Sequence, residues 1–198
     1  DKTRMAQWQR WQRNPVFNEK EVNKMTTAGI KKLREMQLSD GGWGWISGYG
    51  ERSYPHTTAV VMHGLLIAQA NGAKMDAGMI GLGINWLKNH EAKETERIRN
   101  WKDGQKRENN TKRHATAMDA FVRLVLAEAQ HPNPEMLGYL FRDKNHLPVY
   151  AKAVAGMAHH LAEQNDKRDA IIRNIEQFLV HDNENQTAYL KMGNGSYW

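Results

Sequence analysis

A chain of 198 residues, 40% hydrophobic and 25% charged, is long enough for one domain with a sizeable core, and no apolar run approaches a membrane span. It holds no cysteine, which excludes disulfides, thiolate nucleophiles and cysteine-bearing zinc sites. Its net charge of +6 is scattered, and the densest basic cluster, Lys106-Arg107 with Lys112-Arg113, is interrupted by Glu108 and two asparagines, so neither nucleic acid nor membrane is an expected partner.

Residues 1–17 read as an N-terminal lead. Asp1 to Trp11 are charged and aromatic rather than basic and then apolar, so no signal peptide or lipid anchor is visible. The chain also starts without Met, and it reads as excised from a longer, multidomain precursor. Trp8 and Trp11, three apart, would share a helix face. Asn18 followed by Glu21 predicts an N-cap with a capping-box-like acid. From there Val22, Met25, Gly29, Ile30, Leu33 and Met36 recur at helical spacing with Lys and Glu between them, an amphipathic helix with one wet face.

Gln37-Leu38-Ser39-Asp40-Gly41-Gly42-Trp43-Gly44-Trp45 joins that helix to an apolar one. Glycine opens backbone angles closed to other residues, while tryptophan brings large apolar area that needs a wall. The next helix, Thr57 to Ala70, is apolar almost all round, which predicts burial on most sides. Gly72 ends it, and Asp76 caps a third helix whose Met79, Ile80, Gly83, Ile84, Trp86 and Leu87 leave a polar stripe.

A charged stretch from His90 to Lys112 is helical at first and then a loop through Asp103-Gly104. Ala115 to Ala129 is again largely apolar, and His131-Pro132-Asn133-Pro134 breaks it. A brief helix over Glu135 to Arg142 precedes an apolar one over Leu147 to Glu163. Asp166 is read as the cap of a last amphipathic helix carrying Ile171, Ile172, Ile175, Phe178 and Leu179, with a short strand over Thr187 to Met192 after it.

Amphipathic and nearly all-apolar helices therefore alternate. Gly29-Ile30-Lys31-Lys32-Leu33, Gly83-Ile84-Asn85-Trp86-Leu87 and Asn174-Ile175-Glu176-Gln177-Phe178 are loose repeats of one seam. The expectation is an all-α fold over residues 18–198: an alpha/alpha-toroid of antiparallel helical hairpins, inner helices apolar and outer ones amphipathic, closed over only part of the ring. Exposed apolar edges on an open ring predict self-association of the piece as a homo-oligomer.

The Gln37 to Trp45 stretch resembles the Gln-x-x-Asp-Gly-Gly-Trp-Gly turn of the alpha/alpha-toroid superfamily, which includes terpene cyclases, protein prenyltransferase beta subunits and the thioester domains of the alpha-2-macroglobulin and complement proteins. Its continuation, Gly48-Tyr49-Gly50-Glu51-Arg52-Ser53-Tyr54-Pro55-His56-Thr57-Thr58-Ala59-Val60-Val61, looks like the bacterial alpha-2-macroglobulin form. The resemblance is most specific over Gln37 to Ala70, is recognisable from Val22 to Leu87 and is traced more loosely through Asp182-Asn183-Glu184-Asn185-Gln186-Thr187-Ala188-Tyr189. It implies a segment of a protease trap, in which cleavage of a bait region elsewhere releases a thioester that acylates lysine or hydroxyl groups on the attacker. The thioester's Cys-x-Glu-Gln motif is absent from these residues; in the family it lies upstream of the Gly-Gly-Trp turn. The resemblance further implies export to the periplasm or cell surface, other domains of the parent and target proteases as partners, and a scaffolding role without turnover, cofactor or metal.

Gln37, Asp40, Gly41, Gly42, Trp43, Gly44, Trp45, Tyr49 and His56 are the candidate site, read first as a structural turn. Asp40 can accept backbone N–H groups within its own turn, and Trp43 can wedge between hairpins while its indole N–H finds a carbonyl. The alternatives are an aromatic pocket for a prenyl or sugar ligand, a toroid enzyme of terpene cyclase or polysaccharide lyase type, and a glycan- or peptide-binding module. A terpene cyclase would need Asp-x-Asp-Asp, which Asp182 with Glu184 is not, and a prenyltransferase needs a zinc-binding cysteine. Histidine pairs that could suggest a metal are His56 with His63, His114 near Asp119, and His159-His160, whose adjacent side chains point apart on a helix. His114 is the one catalytic candidate, through a resemblance to complement members in which a histidine opening an inner helix assists thioester transfer. Ser47, Ser53 and Ser196 sit in no nucleophile motif.

Overall fold

The computed structural model describes residues 18–45, 50–103 and 110–191. The N-terminal lead with Trp8 and Trp11, and also Ser47, Tyr49, Lys106, Arg107 and Ser196, lie outside the described residues.

Seven α-helices and one β-hairpin make up the described residues, so the fold is all-α with a small strand addition. The first helix, α1 (Glu19–Glu35), starts where the Asn18 side chain accepts the Glu21 N–H at 3.2 Å, with acids in its first turn and Lys32 and Arg34 in its last, as the helix dipole favours. Helix α2 (Pro55–Ala70) begins with proline at its first position, where no N–H is needed, and stops before Gly72 at φ +86. Helix α3 (Ala77–Arg99) is capped by Asp76, which accepts the Met79 N–H at 2.7 Å. It runs into the charged stretch as far as Arg99, with Glu91, Thr95 and Ile98 keeping one face buried.

Helix α4 (Ala117–Glu128) is opened by Asp119, whose carboxylate accepts from the Thr116 N–H at 2.6 Å and hydroxyl at 2.7 Å. Asn133 caps α5 (Pro134–Arg142) by accepting the Met136 N–H at 3.0 Å. A short 3-10 turn (Lys144–His146) leads into α6 (Val149–Leu161), and α7 (Asn165–Glu176) follows. Gln164 rather than Asp166 stands at the cap of α7, and Asp166 falls inside the first turn. Strands β1 (Leu179–Asp182) and β2 (Thr187–Leu190) pair antiparallel from Leu179 opposite Leu190 to Asp182 opposite Thr187.

Helices α2, α4 and α6 pack in a row, with α4 in the middle, and α1, α3, α5 and α7 jacket them. The three seams that resemble one another in sequence all fall on or at the end of outer helices, α1, α3 and α7. This two-layer arrangement of hairpins is that of an alpha/alpha-toroid fragment.

Two apolar cores meet on α4. Ala120 and Leu124 join Leu140, Ala155 and Ile171, whereas Val122, Val125 and Leu126 join Trp43, Met62, Leu65 and Leu87. From Asp119 to Leu126 only Phe121 is less than fully buried, as a middle helix requires.

Helix α2 departs from expectation. It buries Thr58, Ala59, Met62 and Leu65, yet Val60 and Ile67 stand 46% and 48% exposed, because α2 lies at the end of the described row. Outer helix α1 buries no residue fully: Ile30 and Leu33 are half-covered while Met25 is exposed.

Candidate functional site

Three side chains and two glycines shape the corner between α1 and α2. Gly41 turns at φ +93, and a Cβ there would meet the Leu82 carbonyl oxygen at 2.7 Å, so only glycine fits against α3. A Cβ on Gly42 would meet the Ser53 hydroxyl at 2.5 Å. Gln37 bridges from this turn to α3, donating from Nε2 to the carbonyls of Gly41 at 2.9 Å and Met79 at 3.0 Å. Asp40 is the polar hub. Its Oδ1 accepts the Gly42 N–H at 3.1 Å and the Ser53 hydroxyl at 2.6 Å, and its Oδ2 accepts the Trp86 indole N–H at 2.9 Å. The little burial it has would raise its pKa, but the donors from Ser53, Gly42 and Trp86 outweigh that and hold the carboxyl below its ordinary value.

Trp43 fills the centre of the corner at 2% exposure. Its indole N–H donates to the Leu33 carbonyl of α1 at 2.8 Å, its backbone N–H to the Thr58 hydroxyl of α2 at 3.0 Å, and its carbonyl accepts the Tyr54 N–H at 3.0 Å. On α3 its ring lies over Gly83, where a Cβ would meet ring carbon Cζ3 at 3.0 Å and would collide with the Met62 sulfur. One residue thus joins three helices. Burying it contributes about 5 kcal/mol before side-chain entropy is set against it.

The polar atoms just named all bond within the protein. Gly44 packs on the Glu51 side chain. Trp45 points away, 74% exposed, and so lies apart from Trp43 and shares no pocket with it. His56 also lies elsewhere, on the exposed flank of α2 with its ring 6.3 Å from Phe121.

Sequence reasoning missed Ser53, Thr58, Met79, Gly83 and Trp86 as members of this corner. The Gly83-x-x-Trp86 spacing was the available signal: two positions three apart share a helix face, so the gap for Trp43 and the donor to Asp40 sit side by side.

The histidines separate into three places. His63 Nδ1 lies 2.7 Å from Glu128 Oε2 across the seam between α2 and α4, with Phe121 edge-on at 5.9 Å. His159 is fully buried with Nδ1 3.0 Å from Gln164 Oε1, whereas its neighbour His160 is exposed and near Arg168. Burial depresses the His159 pKa, which keeps the ring neutral. No group of three or more potential metal ligands gathers among the described residues.

His114 lies in the loop before α4, its Nδ1 3.2 Å from Asp143 Oδ1 and its ring stacked on His146 at 4.0 Å. Asp143 is buried, which would raise its pKa, but Arg142, the Ala115 N–H at 2.8 Å and His114 together depress it. The histidine borders a cleft of about 490 Å³ between α3 and this loop, walled by Trp101, Arg97 and Lys112. Lys112 is engaged there by Glu94 at 2.6 Å and Asp119 at 2.5 Å.

Asp182 belongs to the β-hairpin turn, where it accepts the N–H groups of Glu184 and Asn185 at 3.1 and 3.2 Å.

No family model matches the sequence, and no curated protein matches it. Among solved structures, the chain is similar to native alpha-2-macroglobulin from Escherichia coli in a crystal structure spanning domain MG7 to the C-terminus. The TM-score is 0.59 at 20% identity over 79% of this chain, and the match covers 23% of the other chain. The similarity is one of fold, over a small part of that larger chain.

Proposed function

We propose that this chain is a non-catalytic helical segment of an alpha-2-macroglobulin-type protease trap, which scaffolds and shields a thioester carried elsewhere in the same polypeptide. The observation that supports this reading best is the closed Gly-Gly-Trp corner. Gln37, Asp40 and Trp43 spend their hydrogen bonds on Leu33, Gly41, Gly42, Ser53, Met79 and Trp86, which suits a brace that moves as a rigid body. The likeness in fold to the Escherichia coli structure points the same way. In this reading the partners are other domains of the parent and the trapped proteases, and the compartment is the periplasm or cell surface.

His114 offers a second role within the same reading. With Nδ1 directed at Asp143, its Nε2 is the nitrogen left to take the proton from a hydroxyl as that hydroxyl attacks the thioester carbonyl and the thiolate leaves.

The test uses the polypeptide that carries this chain in full. Incubated with trypsin, it should form an adduct that survives boiling in detergent, and methylamine treatment beforehand should abolish it. Cleavage without any covalent adduct would overturn the trap, and turnover of a terpenoid or polysaccharide substrate by the same polypeptide would favour the toroid-enzyme alternative.

A further inference from the structure

The cleft of about 490 Å³ between the end of α3 and the loop before α4 falls in the size range of small-ligand sites. The Lys112 N–H donates to the Arg97 carbonyl at 2.9 Å, which lays residues 111–114 alongside the last turn of α3. Arg113 and His114 thereby reach the cleft that Arg97 and Trp101 also line. Trp101 is half-buried with its indole N–H 3.3 Å from Asp103 Oδ1, so its ring stands as part of the wall.

The acids of this cleft are engaged and its guanidinium groups are not. Glu94 accepts from Arg97 Nη1 at 2.7 Å on Oε1 and from Lys112 at 2.6 Å on Oε2, and Asp119 Oδ2 holds Lys112 and Thr116. Arg97 Nε is sealed from solvent, whereas Nη2 bonds nothing among the described residues and belongs to a side chain 36% exposed. Arg113 is exposed, and among the described residues its side chain has no partner. His114 directs Nδ1 at Asp143, which leaves Nε2 as an acceptor on the border of the cleft. A flat aromatic face suits the C–H side of a sugar ring, an open guanidinium suits a carboxylate, and an imidazole acceptor suits a hydroxyl.

We propose that this cleft binds a hexuronate, with the pyranose ring on Trp101, the carboxylate on Arg97 Nη2 and Arg113, and a ring hydroxyl donating to His114 Nε2. The hexuronate can be a free sugar acid or a residue of an acidic polysaccharide. The site is separate from the corner at Trp43, and it does not rest on the trap reading.

The Trp101 indole N–H signal in nitrogen-edited proton spectra reads the cleft directly. Galacturonate and trigalacturonate are the two probes; galactose, which lacks the charge, and acetate, which lacks the ring, are the controls. Either probe should move the Trp101 signal with millimolar affinity, and added salt should weaken the binding. Movement by both assigns the single sugar acid as sufficient, and by the trimer alone assigns the polysaccharide. Arg113→Gln, at an exposed side chain, should weaken binding about tenfold with the melt unchanged, and Arg97→Gln should weaken it by a similar factor. A signal unmoved by both probes at about 50 mM, which excludes even weak affinity, equal shifts with galactose or acetate, or wild-type affinity in either variant would overturn the proposal.

Discussion

Helix α3 is fastened at two places by opposite means. Near its start an aromatic ring does the work: Trp43 lies on Gly83 and hands its indole N–H to α1. Near its middle a buried charge pair does it, with Glu91 held by Arg123 of α4 and Asn133 of the α4–α5 connection. The first fastening is hydrophobic area with every polar atom satisfied. The second contains two buried polar atoms, Glu91 Oε1 and Arg123 Nε, that no side chain or backbone group meets. A hydrophobic joint is stabilising through its area, whereas an ion pair out of water roughly offsets its own desolvation and becomes costly when one partner is lost.

The largest expected effect separates the two tryptophans of one turn. Trp43→Ala should lower stability by about 4 kcal/mol, which for a chain of this size is a fall in melting temperature of roughly 10 °C. Trp45→Ala should change it by less than about 0.5 kcal/mol, as a solvated surface site does. Calorimetry of both variants checks this, and equal effects would erase the distinction between brace and surface residue.

At the charged joint, Arg123→Met alone should cost about 3 kcal/mol because it strands Glu91, while Glu91→Leu combined with Arg123→Met should recover most of the loss. Urea titrations of the two single variants and the double variant close the cycle. Additive losses would show that the pair is not one unit.

Two glycines in unlike surroundings give a smaller contrast with opposite signs. Gly41→Ala should destabilise by about 2 kcal/mol, since its φ is +93 and the Leu82 carbonyl stands in the way. Gly29→Ala, where a Cβ meets nothing within 4 Å in mid-helix, should stabilise by about 0.5–1 kcal/mol. Chemical denaturation resolves both.

The smallest effect concerns the seam between α6 and the hairpin. Lys152 is buried with its Nζ over the Phe178 ring at 4.6 Å, and burial lowers its pKa. Below the unfolded pKa the unfolded chain takes up a proton that the folded chain resists, so stability declines as pH falls from the unfolded pKa to the lowered folded one. Lys152→Met should therefore be more stable than wild type at neutral pH, by about 1 kcal/mol, and should lose that slope; melts between pH 7 and pH 10 measure it.

The layers were legible in the sequence because inner and outer helices differ in composition: Ala59, Val60 and Val61 against Lys31 and Lys32. The corner was partly legible, since two glycines beside Trp43 leave few other uses for them. Trp45 was not, because composition does not say which of two nearby tryptophans finds the gap at Gly83. Strand β1 escaped because four residues, Leu179 to Asp182, carry too little alternation to outweigh the helix before them. Nor did any pattern announce Glu91 with Arg123, an ion pair 32 residues apart on two helices read for their apolar faces. The exposed flank of α2 was hidden for a related reason: an all-apolar helix looks the same at the end of a row as in its middle.

Amide hydrogen exchange on wild type and Trp43→Ala tests most directly whether the Gly-Gly-Trp corner ties the first hairpin to the second. Loss of protection confined to α1, α2 and the first turns of α3, with α6 and α7 unchanged, is the predicted result. Protection preserved throughout the variant would contradict it.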